Sequence, residues 1–141
     1  ETLIREYNRK IGVFVGCMSQ HYPWLARDCK YDGIVNPNSY WSIANRVSYI
    51  LDSQGPSIAV DSACSSSLSA IHLACESIKK GECQMALAGG VNLNLHPDKF
   101  IILSQNQLLA SGGKCRALGN GDGYLPGVGV GAVLLKPLPL A

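Results

Sequence analysis

One cysteine in this sequence stands where chemistry is easiest to build. The stretch Ser57-Ile58-Ala59-Val60-Asp61-Ser62-Ala63-Cys64-Ser65-Ser66-Ser67-Leu68 reads as a buried strand, a tight turn and the start of a helix. A turn of that kind exposes the side chain at its tip. Backbone N–H groups at the helix start can receive an oxyanion, and helix N-termini favour thiolate over thiol. A thiolate is both a good nucleophile and a good leaving group, so Cys64 fits a thioester intermediate. Ala63 is small enough for a crowded turn, and Ser65, Ser66 and Ser67 can occupy the first helical positions and satisfy free N–H groups. The same residues also fit a small, inert thiol chosen for its size, and the residues alone leave both readings open.

Cysteine catalysis usually draws on a histidine, and the chain has three. His72 lies on the same expected helix as Cys64, roughly 12 Å further along its axis. That is too far to serve the thiol, so His72 is expected to pack or to bond a backbone carbonyl. His96 precedes Pro97 at the start of a loop, and His21 falls in an irregular segment with Pro23; structural or surface roles are expected for both. Asp61 could be read as a general base, but neighbouring strand residues point to opposite faces, and a structural hydrogen-bond acceptor near the turn is the expected role. Asn45 and Arg46 are expected on a solvated helix face, with an interface as the other reading. The residues thus offer a nucleophile without a base.

The elements that must position Cys64 follow from hydrophobic patterning. Ile11 to Gly16 is a short apolar run and predicts a buried strand. Cys17 to Pro37 predicts a long loop with a short helix near Trp24, Leu25 and Ala26. Asn38 or Ser39 is the expected cap of a helix carrying Ile43, Val47, Ile50 and Leu51 at helical spacing, ended by Gln54-Gly55-Pro56. A strand over Ile58–Asp61 leads into a helix from about Ser65 to Lys80. Leu68, Ile71, Cys75 and Ile78 share one face of that helix, and Ala70 and Ala74 allow close approach. Lys79 and Lys80 suit its C-terminus and Gly81 its end. Met85 to Val91 predicts another buried strand, Asp98 to Leu109 a helix, Ser111 to Gly129 a glycine-rich loop, and Val130 to Lys136 a final strand stopped by Pro137 and Pro139. The alternation predicts an α/β class, with helices layered on a largely buried sheet.

The totals set bounds. The sequence has 141 residues, 47% hydrophobic and 16% charged, room for one modest domain or part of a larger one. The low charged fraction suggests that much of the surface is covered by a partner or by further chain. A net charge of +2 gives no case for nucleic acid, and no apolar run approaches the ~18 residues of a membrane span. The opening residues Glu1 to Glu6 are a charged mixture unlike a signal peptide. The cysteines Cys17, Cys29, Cys64, Cys75, Cys83 and Cys115 form no C-x-x-C pair, which argues against a zinc or dithiol site. Reduced thiols in a cytoplasmic protein are expected. There is no G-x-S-x-G. Gly127 to Ala132 is spaced like part of a dinucleotide loop but leads into a strand, so that reading is set aside.

The run Val60 to Leu68 closely resembles the active-site signature of β-ketoacyl synthases, in particular the ketosynthase domains of modular polyketide synthases. The resemblance extends through Ala44-Asn45-Arg46-Val47-Ser48-Tyr49, Ala70 to Ser77, Ala88-Gly89-Gly90-Val91-Asn92, Lys114-Cys115-Arg116, Gly121-Asp122-Gly123-Tyr124 and Gly129 to Leu138. Leu93 to Pro97 is similar to the branch whose acyltransferases are separate proteins. The resemblance implies a thiolase-like fold, of which residues 1–141 would be the N-terminal half, a mixed sheet with layered helices. The first strand and the C-terminal half would lie outside the chain. It implies that Cys64 carries the acyl chain as a thioester, with its backbone N–H as one oxyanion donor. The acyl chain would arrive on the phosphopantetheine arm of an acyl carrier protein, and a malonyl unit on a second carrier would be decarboxylated and condensed with it. No bound cofactor or metal is expected in this segment. The resemblance further implies a homodimer, with the strand before Cys64 at its interface. The family's histidine pair and lysine belong to motifs of the other half, so a fragment alone would be inactive, and His21, His72 and His96 are not put in their place.

Some residues depart from the family's pattern. Ser62 stands where threonine is common, Val128 where glutamate is usual, Gly112 where aspartate is usual and Leu118 where phenylalanine is usual. These changes touch the bonding and packing of the loop, not the nucleophile. The main functional expectation is a condensing acyltransferase. The alternative is a non-elongating ketosynthase that transfers acyl chains or scaffolds carrier proteins, and a degradative thiolase is a weaker third, disfavoured by the serines after Cys64.

Overall fold

A computed structural model describes residues 9–28 and 39–140; Cys29, the loop through Gly33 and Pro37, and the cap expected at Asn38 lie outside them. The chain divides into two compact units. The first holds residues 1–20, 36–92 and 130–141, and the second residues 21–35 and 93–129.

The first unit is built on a four-stranded sheet. β1 (Ile11–Gly16) is apolar along its length because it has a neighbour on each side. It pairs in parallel with β2 (Ser57–Val60), Val13 opposite Ser57 and Gly16 opposite Val60. It also pairs in parallel with β3 (Met85–Asn92), Ile11 opposite Met85 and Gly16 opposite Gly90. β4 (Gly129–Leu135) completes the order β2-β1-β3-β4. Parallel neighbours need crossover connections, and two helices of this unit supply them. α2 (Trp41–Ile50) packs on β2 and β1, while α3 (Ser66–Lys79) joins β2 to β3 and lies over β1 and β3. The core gathers Phe14, Ala70, Ala74, Cys83, Ala86 and Ala88.

Ala70 and Ala74 make the close approach expected of them and Ile71 and Ile78 pack against the core, but the larger apolar residues expected on the inward faces are not all buried. On α3 the buried stripe is Ser66, Ala70, Ala74 and Ser77, whereas Leu68 is 70% exposed and Ile71, Cys75 and Ile78 are half-buried. A helix pressed onto a sheet turns its smallest residues inward, and bulkier ones are displaced to the flanks. On α2 the same shift buries Ala44 and Ser48 and leaves Ile50 79% exposed. Tyr40 occupies the N-cap position of α2 without a side-chain cap bond. Ser39 takes part through its backbone instead, its carbonyl accepting from the Ser42 N–H and hydroxyl. Asn45 and Arg46 are exposed, as expected of a solvated face.

The second unit contains α1 (Tyr22–Asp28), where the short helix was expected, and α4 (Asp98–Gln105), which stops short of the expected Leu109. The glycine-rich loop from Ser111 onwards also belongs to this unit, and its residues 111–122 are all exposed. A short 3₁₀ turn (Leu138–Leu140) follows β4 in the first unit. No helix among the described residues is long and apolar enough to cross a membrane.

Candidate active site

Cys64 is exposed, two residues before the first residue of α3. The turn that presents it is held by short-range bonds. The Asp61 carboxylate accepts the Ala63 N–H at 3.0 Å. The Ser66 hydroxyl donates to the Ala63 carbonyl at 2.5 Å and accepts the Ser62 N–H at 3.0 Å. The Ser66 N–H also donates to the Ala63 carbonyl, at 3.1 Å. Ala63 has φ of +54°, in the left-handed region that costs a residue with a Cβ about 1–2 kcal/mol. These bonds are what keep the backbone there.

Ser66 begins the helix and satisfies a free N–H, that of Ser62, as expected of the serine run, but Ser65 does not cap the helix. Ser65 is the N-cap residue of α3, yet its side chain makes no cap bond. Its hydroxyl donates backwards, to the Ser62 carbonyl at 2.8 Å and the Ser62 hydroxyl at 3.1 Å. The Ser62 and Ser69 hydroxyls lie 2.8 Å apart. With φ of −89° and ψ of 2°, Ser65 is outside the extended conformation in which an N-cap side chain reaches forward to the helix N–H groups. The run therefore knits the turn to the helix.

The sheet fixes this turn from below. A Cβ on Gly16 would lie 2.6 Å from the Ser66 carbonyl carbon and the Ser67 nitrogen, and one on Gly90 2.8 Å from the Ser67 Cβ. The ends of β1 and β3 thus touch the first turn of α3 directly. The Cys17 N–H donates to the Val60 carbonyl at 3.0 Å, closing the ends of β1 and β2 together. Tyr40, which the sequence did not single out, donates its hydroxyl to the Met18 carbonyl at 3.1 Å. Burial first, then the negative charge of Asp61, hold its phenol above the usual value of 10.0.

The histidines have other work. His72 is exposed rather than packed. His21 and His96 are buried in the second unit, where Trp24 stacks on His21 and meets His96 edge-on. The Leu95 N–H donates to His21 Nδ1 at 3.2 Å. The Asp98 N–H donates to His96 Nδ1 at 3.2 Å, so His96 Nε2 carries the proton that faces Asp28 Oδ2 at 2.7 Å. Burial first, then the positive charge of Lys99, push the His21 imidazole below its ordinary 6.5. Both rings are structural, in line with the expectation for them. Next to them, Asn94 Nδ2 donates to the carbonyls of Pro126 at 2.9 Å and Gly127 at 3.3 Å, anchoring the end of the glycine-rich loop. Among the described residues, no group of histidine, cysteine or carboxylate side chains could hold a metal ion.

Helices layered on a sheet whose central strand has parallel neighbours, with a cysteine at a strand-to-helix turn, make an α/β fold of the thiolase-like kind. The chain belongs to the β-ketoacyl synthase family: the family model for the β-ketoacyl synthase N-terminal domain matches residues 2–141. Among curated relatives, it is 51% identical to polyketide synthase PksL of Bacillus subtilis, over 96% of this chain and 3% of that protein. It is 50% identical to polyketide synthase ThaG of Burkholderia thailandensis, over 94% of this chain and 2% of that protein. Among solved structures, it superposes on the oxazolomycin ketosynthase domain OzmH KS7 of Streptomyces albus with a TM-score of 0.82 and 50% identity, covering 89% of this chain and 22% of that one. For the ketosynthase of module 6 of the bacillaene synthase of Bacillus subtilis the TM-score is 0.81 and the identity 40%, covering 92% and 22%. The thiolase-like fold and the kinship with polyketide synthase ketosynthases expected from the sequence are borne out.

Proposed function

We propose that this chain is the nucleophile-bearing N-terminal half of a ketosynthase domain in a polyketide synthase, and that Cys64 is its acyl-carrying residue. The observation that carries the reading is the exposed thiol at the tip of the strand-to-helix turn. In the proposed reaction the Cys64 sulfur attacks the thioester carbonyl of an acyl chain borne by the phosphopantetheine of an acyl carrier protein. A new C–S bond forms, the old one breaks, and the Cys64 proton leaves with the carrier's thiol. A malonyl unit on a carrier then loses carbon dioxide, and its enolate attacks the Cys64 thioester. That forms the new C–C bond and returns the sulfur as thiolate, so the whole is a decarboxylative acyltransferase.

The Cys64 backbone N–H serves as one oxyanion donor in this reading. Its neighbours are already engaged: Ala63 N–H by Asp61, Ser65 N–H by the Ser62 carbonyl, Ser66 N–H by the Ala63 carbonyl. The groups that stabilise the enolate belong to the family's C-terminal half, and the working protein is a homodimer. The chain spans only about a fifth of each solved ketosynthase chain, which supports reading it as part of a larger domain. So do large apolar residues left open on β4 and beside it, Val130 at 80% and Leu138 at 87% exposed.

The test is intact-protein and peptide mass spectrometry on the synthase that carries this chain, incubated with an acyl thioester. The acyl mass is expected on the Cys64 peptide and is expected to vanish in Cys64→Ala. Acylation that persists in the alanine variant sinks the assignment.

A further inference from the structure

We infer that Ser66 and Asp61 are positioning residues for the Cys64 nucleophile, acting together by fixing the two sides of Ala63. This rests on Cys64 being the acylated residue. Ala63 is the residue immediately before Cys64, so its φ and ψ aim everything that follows, the Cys64 side chain and its N–H included. Its φ of +54° is one that an alanine leaves readily unless it is held. Two side chains hold it. Asp61 Oδ1 takes the Ala63 N–H at 3.0 Å, and Ser66 Oγ gives its proton to the Ala63 carbonyl at 2.5 Å. Ser66 Oγ also takes the Ser62 N–H at 3.0 Å, so one hydroxyl ties the peptide groups that bracket Ser62 and Ala63.

Ser66 is suited to this role because it is itself immobile. It is 5% exposed, and the Gly16 end of β1 lies against its backbone. The sheet therefore transmits its rigidity through Ser66 into the turn. Asp61 is exposed and contributes an acceptor from the opposite side. Preorganisation of this kind acts on the rate of attack rather than on the grip on substrate. Both residues touch Ala63, not the substrate.

The experiment uses the synthase that carries this chain and hexanoyl-N-acetylcysteamine as acyl donor. Single-turnover acylation of the Cys64 peptide is followed by mass spectrometry over a range of donor concentrations, for wild type, Ser66→Ala, Asp61→Ala and Asp61→Asn. In the two alanine variants the limiting rate is expected to fall by about tenfold or more, with the half-saturating concentration within about twofold of wild type. Asp61→Asn retains a side-chain oxygen acceptor and is expected to stay within about threefold of wild type. Alanine variants that are folded and acylate at the wild-type rate overturn the inference. Equal losses in Asp61→Ala and Asp61→Asn also overturn it, since the charge rather than the bond would then matter. If Ser66→Ala fails to fold by circular dichroism, the Asp61 pair decides. A wild type that acquires no hexanoyl mass at Cys64 sinks the nucleophile reading itself, and is distinguishable from either result.

Discussion

Gly16 and Ser66 are in backbone contact: a Cβ built on Gly16 would lie 2.6 Å from the Ser66 carbonyl carbon and 2.8 Å from its oxygen. The atoms it meets are main chain, not the flexible end of a side chain, so they cannot step aside alone. Gly16→Ala must lift the first turn of α3 from the end of β1. The expected cost is about 1–3 kcal/mol, read as a lowered denaturant midpoint with an unchanged slope. Wild-type stability in this variant would show that the contact is softer than the geometry says.

Ala63 holds a left-handed backbone with a Cβ, at φ of +54°. Glycine removes that strain, but it also enlarges the unfolded ensemble, a loss of roughly 0.5–1 kcal/mol. Ala63→Gly is therefore expected to be neutral or stabilising by about 1 kcal/mol at most. Ala63→Val is expected to destabilise, because a β-branched residue is a genuine outlier there. Paired thermal melts check both, and a valine variant as stable as wild type contradicts the backbone assignment.

Ala74 is fully buried on α3, in the cluster with Phe14 and Ala88. Leucine at this position would push α3 away from β1 and β3, at an expected cost of about 1–3 kcal/mol or more. Leu68→Ala removes a larger side chain from the same helix but is expected to change stability by about 0.5 kcal/mol or less, because that side chain faces solvent. Chemical denaturation of the two variants side by side tests the placement of the helix face. Reversal of the order would mean the wrong face is buried.

His21 accepts the Leu95 N–H through Nδ1, which requires that nitrogen to be unprotonated. Its pKa is held below the ordinary 6.5 by burial and by the positive charge of Lys99. The unfolded chain therefore binds the proton more readily than the folded one. The stability His21 contributes is present above pH 6.5 and is lost as pH falls from there through the folded pKa. Asp28 and Asp98 face His96 rather than His21, so Lys99 dominates among the charges at His21. Hydrogen exchange at the Leu95 amide, corrected for intrinsic pH dependence, is expected to lose protection below pH 6.5. His21→Gln is expected to flatten that profile. An unchanged profile in the glutamine variant would assign the effect to another group.

Much of the path to Cys64 is legible in the residues. The apolar run of β1, the strand Ser57–Val60 and the helix Ser66–Lys79 fall within a residue or so of where patterning puts them. Patterning found Ala70 and Ala74 at the close approach to the sheet but overstated the burial of the largest apolar residues. Hydrophobicity favoured Leu68 and Ile50, but close approach to a sheet selects for small volume, which put Ser66, Ser77 and Ala44 inside as well. The role of Ser65 was misread for a related reason. A hydroxyl near a helix start can cap forwards or bond backwards, and the choice is made by backbone angles that residue type does not carry.

The sequence by itself determined the α/β alternation, the place of Cys64 at a strand-to-helix turn and the family to which the chain belongs. These depend on local periodicity and on a continuous motif. Only the tertiary structure decided what holds the turn still. Ser66 became a fixed point because the end of β1, 50 residues earlier in the chain, presses on its backbone. His21 and Leu95 became partners across a separation of 74 residues. Contacts of that kind arise from how the chain crosses over itself, and no window of neighbouring residues contains both sides of them.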